Sequence, residues 1–318
     1  MFESLKSFIY MLSLDQKASE EYCRRKRIER SRKGRGGVKK IPLHSVAHRV
    51  LMPLLWCDQY IAGKRLTIIN DARTKTKKPI IFCATHIGGA DAEMSLLTIH
   101  DPCWVVVGDP RELYKNFDGA LLEINGAIML DTQYKEDRKA AKARMADLLK
   151  KGGNLLIYPE GAQDISPNTL LNHLYAGAVE LAITCGADIV PIALHRDKNK
   201  YYANVGANIS YEGCDYAERF KLTSELRDRM ATLKWEIIEA LPSVSRQDVE
   251  DTAYDDFLHD VFAMDASYTW TMDDVKASMF KPEGFVEAAD VYSFMDRVQP
   301  DINNAFLFAE YNAANKDD

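Results

Sequence analysis

The chain has 318 residues, 47% of them hydrophobic and 28% charged, enough apolar material to bury a full core and too aromatic for a disordered polymer. Its six cysteines show no C-x-x-C pair and no metal-ligand spacing, which disfavours a disulfide framework or a zinc module and points to a reducing compartment. The net charge of −6 hides an asymmetry, because residues 24–40 hold ten Lys/Arg against one Glu and the remainder is strongly acidic.

Residues 1–22 read as a short amphipathic helix. Its apolar stretch from Phe8 to Leu14 follows Glu3 and Lys6 and lacks a small-residue cleavage site, so a signal peptide is disfavoured. Residues 24–40 read as a basic, glycine-containing linker, for which three explanations stand: a solvated linker, contact with anionic lipid, or a nucleic-acid arm. Residues 41–63 have apolar positions at helical spacing with one broad greasy face, and Pro53 is expected to kink or break that helix. No run reaches the roughly 18–20 apolar residues that a spanning helix needs.

From residue 64 onward the pattern changes. Short apolar runs at 66–70, 79–85, 103–108, 127–131, 154–159 and 188–194 alternate with helical stretches such as 133–151 and 172–185, the signature of a mostly parallel sheet flanked by helices. Residues 203–212 can add a strand, and 217–241 read as a long amphipathic helix ended by Pro242 and Ser243. Residues 251–318 carry fifteen Asp/Glu against four Lys/Arg. Their aromatics, including Tyr254, Phe257, Tyr268, Trp270, Tyr292, Phe294, Phe306 and Phe308, favour a folded helical appendage over a disordered acidic tail. The expected organisation is therefore an N-terminal docking segment (1–63), an α/β domain (64–245) and a C-terminal helical appendage (246–318).

Two strand ends carry chemistry. The run PIIFCAT enters His86-Ile87-Gly88-Gly89-Ala90-Asp91, where Asp91, in the first turn of a following helix, can point back to one ring nitrogen of His86 and leave the other free as a base. The run NLLIYP enters Pro159-Glu160-Gly161-Ala162-Gln163-Asp164, a polar glycine turn that can hold an oxyanion or a polar acceptor. Each has an ordinary structural explanation if taken alone: a satisfied histidine, and a solvated turn. Cys83, inside its strand, reads as a buried small hydrophobe rather than a nucleophile. His44 and His48, with no third ligand nearby, read as surface histidines rather than a metal site.

Taken together and in order, T-H-I-G-G-A-D (85–91), G-A-I-M-L-D (126–131), L-I-Y-P-E-G (156–161) and I-V-P-I-A-L (189–194) resemble the four blocks of the glycerolipid acyltransferase family, over roughly residues 60–215. The resemblance implies that His86 deprotonates an acceptor hydroxyl and Asp91 orients it. It further implies that Glu160 and Gly161 sit by the acceptor or the oxyanion, and that Pro191 lies near the acyl channel. The donor would be acyl-CoA or acyl-carrier protein, with no metal or redox cofactor, and the enzyme would be peripheral on the cytoplasmic face of a membrane. Lipid chemistry favours an anionic membrane surface over nucleic acid as the partner of the basic run.

The chain departs from the family pattern where the family grips a phosphate. Thr132 and Gln163 replace the arginines of blocks two and three, and Asp164 stands where a serine is usual. These departures predict a neutral or zwitterionic acceptor contacted by Thr132, Gln163 and Asp164, unless Lys135 or Arg138 supplies the missing cation. Alternatives are transfer to an amine on the same fold, or a catalytically weak lipid-binding scaffold.

Overall fold

The structure, a computed structural model, describes residues 5–108, 110, 113–115, 117–166, 169–245, 248–262, 270–285, 298–299 and 301–305. The expectations that rest on Tyr268, Tyr292, Phe294, Phe306 and Phe308 lie outside these residues. The chain divides into two compact units, Met1–Phe280 and Lys281–Asp318. In the second, Asp301 closes a turn by accepting from the backbone N–H groups of Asn303 and Asn304 (2.7 and 3.2 Å).

The apolar runs of the first unit become the strands β1 (Arg65–Asp71), β2 (Ile80–Ala84), β3 (Cys103–Gly108), β4 (Ala127–Leu130), β5 (Asn154–Ile157), β6 (Asp188–Asp197), β7 (Lys200–Val205) and β8 (Ile209–Ser210). They form one sheet in the order β1-β7-β6-β2-β5-β3-β4, with β8 paired to β6. From β6 to β4 the neighbours run parallel. The chain after β6 turns back instead, so β7 is antiparallel to β6 and parallel to β1. The single strand expected over 203–212 is thus two, with β7 beginning earlier than expected.

The helices are α1 (Leu5–Ser13), α2 (Gln16–Arg32), α3 (Ile41–Ile61), α4 (Asp91–Ile99), α5 (Phe117–Asn125), α6 (Lys135–Lys150), α7 (Gly177–Cys185), α8 (Arg219–Ala240), α9 (Ala253–Phe262) and α10 (Met272–Ser278). Alternation along the central strands divides the core between two faces. Ile81, Cys83 and Leu155 pack with Leu148 of α6, Val179 of α7 and Met230 of α8. Phe82, Ala84 and Leu156 pack with Met52 of α3 and with Met94 and Leu97 of α4. Strands buried on both faces need continuous apolar sequence, which is why these runs lack polar alternation. Each fully buried leucine contributes about 1.5–3 kcal/mol.

Three expectations for the N-terminal region are corrected. The basic run is not a linker up to Arg32, because Asp15 caps α2 by accepting from Ala18 N (2.8 Å) and α2 continues through the arginines. Arg27 grips the fully buried Asp137 through two hydrogen bonds and also donates to the Tyr114 hydroxyl, while Arg24 binds Asp131 (2.9 Å) with its guanidinium 3.5 Å over the Tyr134 ring. Tertiary carboxylates thus hold this part of the run against the domain. Second, α3 runs unbroken through Pro53, which lies on its exposed side, while Met52 and His48 anchor the other side. Third, His48 is fully buried and its Nδ1 donates to Asn125 Oδ1 (2.8 Å). Leu43, Val46, Val50, Leu54 and Ile61 leave an exposed apolar stripe along α3. Among the described residues, no helix is long and apolar enough to cross a membrane.

Candidate active site

Parallel pairing of β2 with β5, in the register Cys83↔Ile157, brings the two motif loops out side by side on one rim of the sheet, where open α/β sheets place their sites. Three residues further along that register, His86 stands opposite Glu160. Thr85 fastens the end of β2 to β6, its hydroxyl accepting from Leu194 N (2.8 Å). The chain then turns through Gly88 and Gly89, both at positive φ, and α4 starts at Asp91. That reversal aims the Asp91 carboxylate back at the loop. One oxygen, Oδ2, accepts from His86 Nδ1 (2.7 Å), Ile87 N (2.9 Å) and Gly88 N (2.9 Å).

Because a carboxylate only accepts, this contact makes His86 Nδ1 the donor and leaves Nε2 as the nitrogen able to take a proton. The ring lies 4.7 Å from that of Tyr158, whose hydroxyl donates to Ser95 Oγ (2.9 Å) and approaches the Asp91 carbonyl (3.2 Å). Burial works against a protonated His86. The charge of Asp91 and its hydrogen bond, reinforced by the charge of Glu160, outweigh burial and raise the imidazole above its ordinary range.

Glu160 is not among the residues that line the adjoining cavity. Its side chain is buried and clasps two backbones, Oε1 accepting from His86 N (2.7 Å) and Oε2 from Asn172 N (2.8 Å). The His86 carbonyl is held in turn by Asp164 N (2.8 Å), so the second loop grips the histidine backbone at both its polar groups. Burial pushes the Glu160 carboxyl up to about 7, against the two N–H bonds and the Lys234 charge. Asp164 also turns inward: its carboxylate accepts from Ser166 N (3.0 Å) and stands 3.7 Å from the buried ammonium of Lys234. Burial raises its pKa, with Lys234 opposing. Asp164, expected as a contact of the acceptor, thus faces a buried cation of α8 and is not among the residues lining the cavity beside His86.

A cavity of about 730 Å³ opens beside His86. Thr132, Gly161 and Gln163 line it, whereas Asp91, Glu160 and Asp164 stand behind the lining. Pro191 lies mid-β6 beside Cys83 of β2, packed toward Gly206 and away from the cavity wall. Gln163 is buried, and its Nε2 has no protein hydrogen-bond partner among the described residues. Arg138 and Lys142 of α6 also line the cavity, one helical turn apart; Arg138 donates to the Thr132 carbonyl and Lys142 to Glu180. Lys135 is exposed on α6 and outside the lining. Lys142 and the C-terminal residues Trp270, Asp274 and Ala277 were not read as site residues from the sequence; helical spacing four residues after Arg138 was the one signal for Lys142, and Trp270 stood out only as one of the aromatics of the appendage.

Cys83 is fully buried in β2, where desolvation pushes its thiol far up, the opposite of what a nucleophile needs. Among the described residues, no group of three His, Cys, Asp or Glu is placed to hold a metal ion.

The acyltransferase family model matches residues 65–195, a stretch that includes both loops. Those residues are an acyltransferase-family domain. A 1-acyl-sn-glycerol-3-phosphate acyltransferase of Borreliella burgdorferi is 21% identical over 146 residues, which is 46% of this chain. The chain spans 57% of the length of that relative. The crystal structure of the 1-acyl-sn-glycerophosphate acyltransferase PlsC from Thermotoga maritima aligns with a TM-score of 0.44 at 13% identity, covering 75% of this chain and 89% of that one. The acyltransferase domain thus runs from β1 into β6 and contributes most of the cavity wall, while α8, α9 and α10 lie beyond the matched residues.

Proposed function

We propose that the protein moves a fatty acyl group from an acyl thioester, acyl-CoA or acyl-carrier protein, to a hydroxyl of a glycerolipid acceptor. The observation that carries this reading is the His86–Asp91 pair beside a large cavity inside an acyltransferase-family domain. In the proposed reaction His86 Nε2 takes the acceptor's hydroxyl proton as the oxygen attacks the thioester carbonyl. The tetrahedral intermediate then expels the thiolate, and the His86 imidazolium returns the proton to the sulfur. Asp91 fixes the tautomer throughout and stabilises the imidazolium. The thioester is already activated, so the protein has to supply a base, donors for the oxyanion and proximity.

The structure changes the balance on the acceptor. The expectation of a neutral or zwitterionic acceptor rests first on Thr132 and Gln163 standing in place of arginines and second on repulsion by Asp164; the second ground weakens because Asp164 faces Lys234. Arg138 supplies positive charge at the cavity, Lys142 lines it while paired with Glu180, and Gln163 Nε2 supplies a donor. This set favours an anionic headgroup such as the phosphate of a lysophosphatidate, bound by Arg138 and Gln163 with Thr132 beside them. Docking on an anionic membrane surface is part of the same reading. The exposed stripe of α3 would enter the lipid interface, and exposed cations such as Arg25, Arg32, Lys33 and Arg35 would face the headgroups. Residues 1–63 are then the docking segment of a peripheral enzyme on the inner face of a membrane.

The test is a panel of lysophosphatidate, monoacylglycerol and amine acceptors with labelled acyl-CoA and acyl-carrier protein, read by product mass. Wild-type turnover of the hydroxyl acceptors that disappears in His86→Ala is expected. Acylated amines would move the reading to N-transfer. No turnover with any donor would overturn it in favour of a lipid-binding scaffold.

A further inference from the structure

Two helices outside the acyltransferase-family match reach both loops of the site. The end of α9 meets the turn that follows His86, where Gly89 N–H donates to the Val261 carbonyl (3.0 Å). Arg196 of β6 ties down the neighbouring Asp260 through its carboxylate (2.6 Å) and its carbonyl (2.5 Å). The end of α10 meets the turn that follows Pro159. There the Tyr175 hydroxyl donates to the Ser278 carbonyl (3.1 Å), and the Tyr175 ring lies 4.9 Å from that of Phe280.

Each motif loop carries a glycine whose missing side chain makes room for this strap. A Cβ at Gly88 would collide with the Val261 carbonyl. A Cβ at Gly161 would collide with the Tyr175 ring and come within 3.1 Å of the Ser278 carbonyl. Both glycines sit at positive φ, so the backbone shape and the space are used together. Between the two contacts the strap presents Trp270 and Ala277 to the same cavity that His86 lines. The same cavity is lined by Val106, Leu130, Met145 and Ile157. A cavity lined by a histidine and basic side chains together with an indole and aliphatic side chains suits a headgroup joined to a hydrocarbon chain.

We propose that α10 and the adjoining Trp270 form an integral wall of the active site, with the end of α9 braced against the His86 loop, and that Trp270 is a specificity-determining residue limiting the hydrocarbon chain the cavity accepts. The inference rests on the acyl-transfer reading for its substrates but not for the site itself. The chain has two possible sources, the acyl group in transit and the chain already on the acceptor, and varying them separately tells them apart.

The experiment uses the full chain with two substitutions of opposite sense. Trp270→Ala removes the indole from the wall. Ala277→Phe adds bulk at a position that is exposed, so that it does not strain a packed core. The kcat/KM of each is measured over a series of acyl donors with one acceptor, then over a series of acceptors with one donor. Trp270→Ala is expected to raise the long-to-short ratio about tenfold or more in one series, and Ala277→Phe to lower it, since one methylene in an apolar pocket discriminates by about 10–200-fold. The series that shifts identifies the chain. Unchanged ratios in both series for both variants would overturn the proposal.

A binding measurement separates this from the acyl-transfer reading. Lysolipids brominated along the chain should quench tryptophan fluorescence in wild type, with the Trp270 share lost in Trp270→Phe. Length-dependent quenching without turnover would keep the strap proposal and overturn acyl transfer. Turnover with unchanged profiles and no Trp270 quenching would do the reverse.

Discussion

Two buried carboxylates flank His86, and they serve different parts of it. Asp91 gathers three donors on one oxygen, one of them the imidazole itself, so it governs the tautomer and charge of the ring. Glu160 spreads its two oxygens over the backbones of His86 and Asn172, so it governs where the ring's own loop stands. Their environments diverge accordingly: Glu160 is pushed up to about 7 by burial, and Asp91 contributes the charge that lifts His86. The comparison teaches that a buried carboxylate beside a candidate base can serve the backbone that carries the base rather than line the cavity. It also separates an electrostatic role from a scaffolding role in measurable ways.

The largest effect is expected at the residue both carboxylates serve. His86→Ala should reduce kcat/KM by about 10²–10⁴-fold, the usual contribution of a general base, with an unchanged melting curve; near-wild-type turnover would remove the mechanism. Next comes Glu160→Ala, which strands two buried N–H groups at about 1–3 kcal/mol each. It should lower both the melting temperature and kcat, whereas a purely catalytic Glu160 would leave stability alone.

Asp91→Asn should reduce kcat on the order of 10²-fold and move the acid limb of the pH–rate profile. The proposed reaction requires neutral His86, so wild-type activity should rise with pH through a midpoint above the ordinary imidazole value of about 6.5. Removing the Asp91 charge lets burial dominate, so the midpoint should fall; an unmoved midpoint would show that Asp91 does not set the charge of the ring. Glu160 gives a smaller, thermodynamic signal. Its pKa is raised from 4.5 to about 7, so the folded state holds a proton that the unfolded state has released across this window. Its contribution to stability is full below the lower value and is lost as pH rises through the upper one. Urea midpoints of Glu160→Gln minus wild type should therefore change across that window, and a flat difference would contradict the raised pKa. The smallest effect is expected for Cys83→Ala, which should change kcat less than about twofold and cost on the order of 1 kcal/mol as a small cavity.

The strands and the His86 turn were legible because local pattern and tertiary role coincide there. Ile81, Phe82, Cys83 and Ala84 are buried on both faces, so their apolar run is uninterrupted, and Gly88 and Gly89 announce the turn that returns Asp91 to His86. Other features had no such local signature. Arg24 and Arg27 look like a solvated run until Asp131 and Asp137 appear across the α2–α6 contact. Asp164 looks like an acceptor ligand until Lys234 comes down from α8. Pro53 looks like a helix breaker, yet α3 is held from its buried side by Met52 and His48.

By itself the sequence determined the class of fold, the two chemistry-bearing strand ends and the pairing of His86 with Asp91. Each of these depends on residues within a few positions of one another and on periodicities of 2 and 3.6. Only the tertiary structure decided which charges face the cavity and which are spent on partners, why Glu160 holds a backbone, and that α9 and α10 close against both glycine turns. These contacts join residues separated by tens to more than a hundred positions. Their energy comes from burial and complementary charge, which a linear pattern of residue types does not encode.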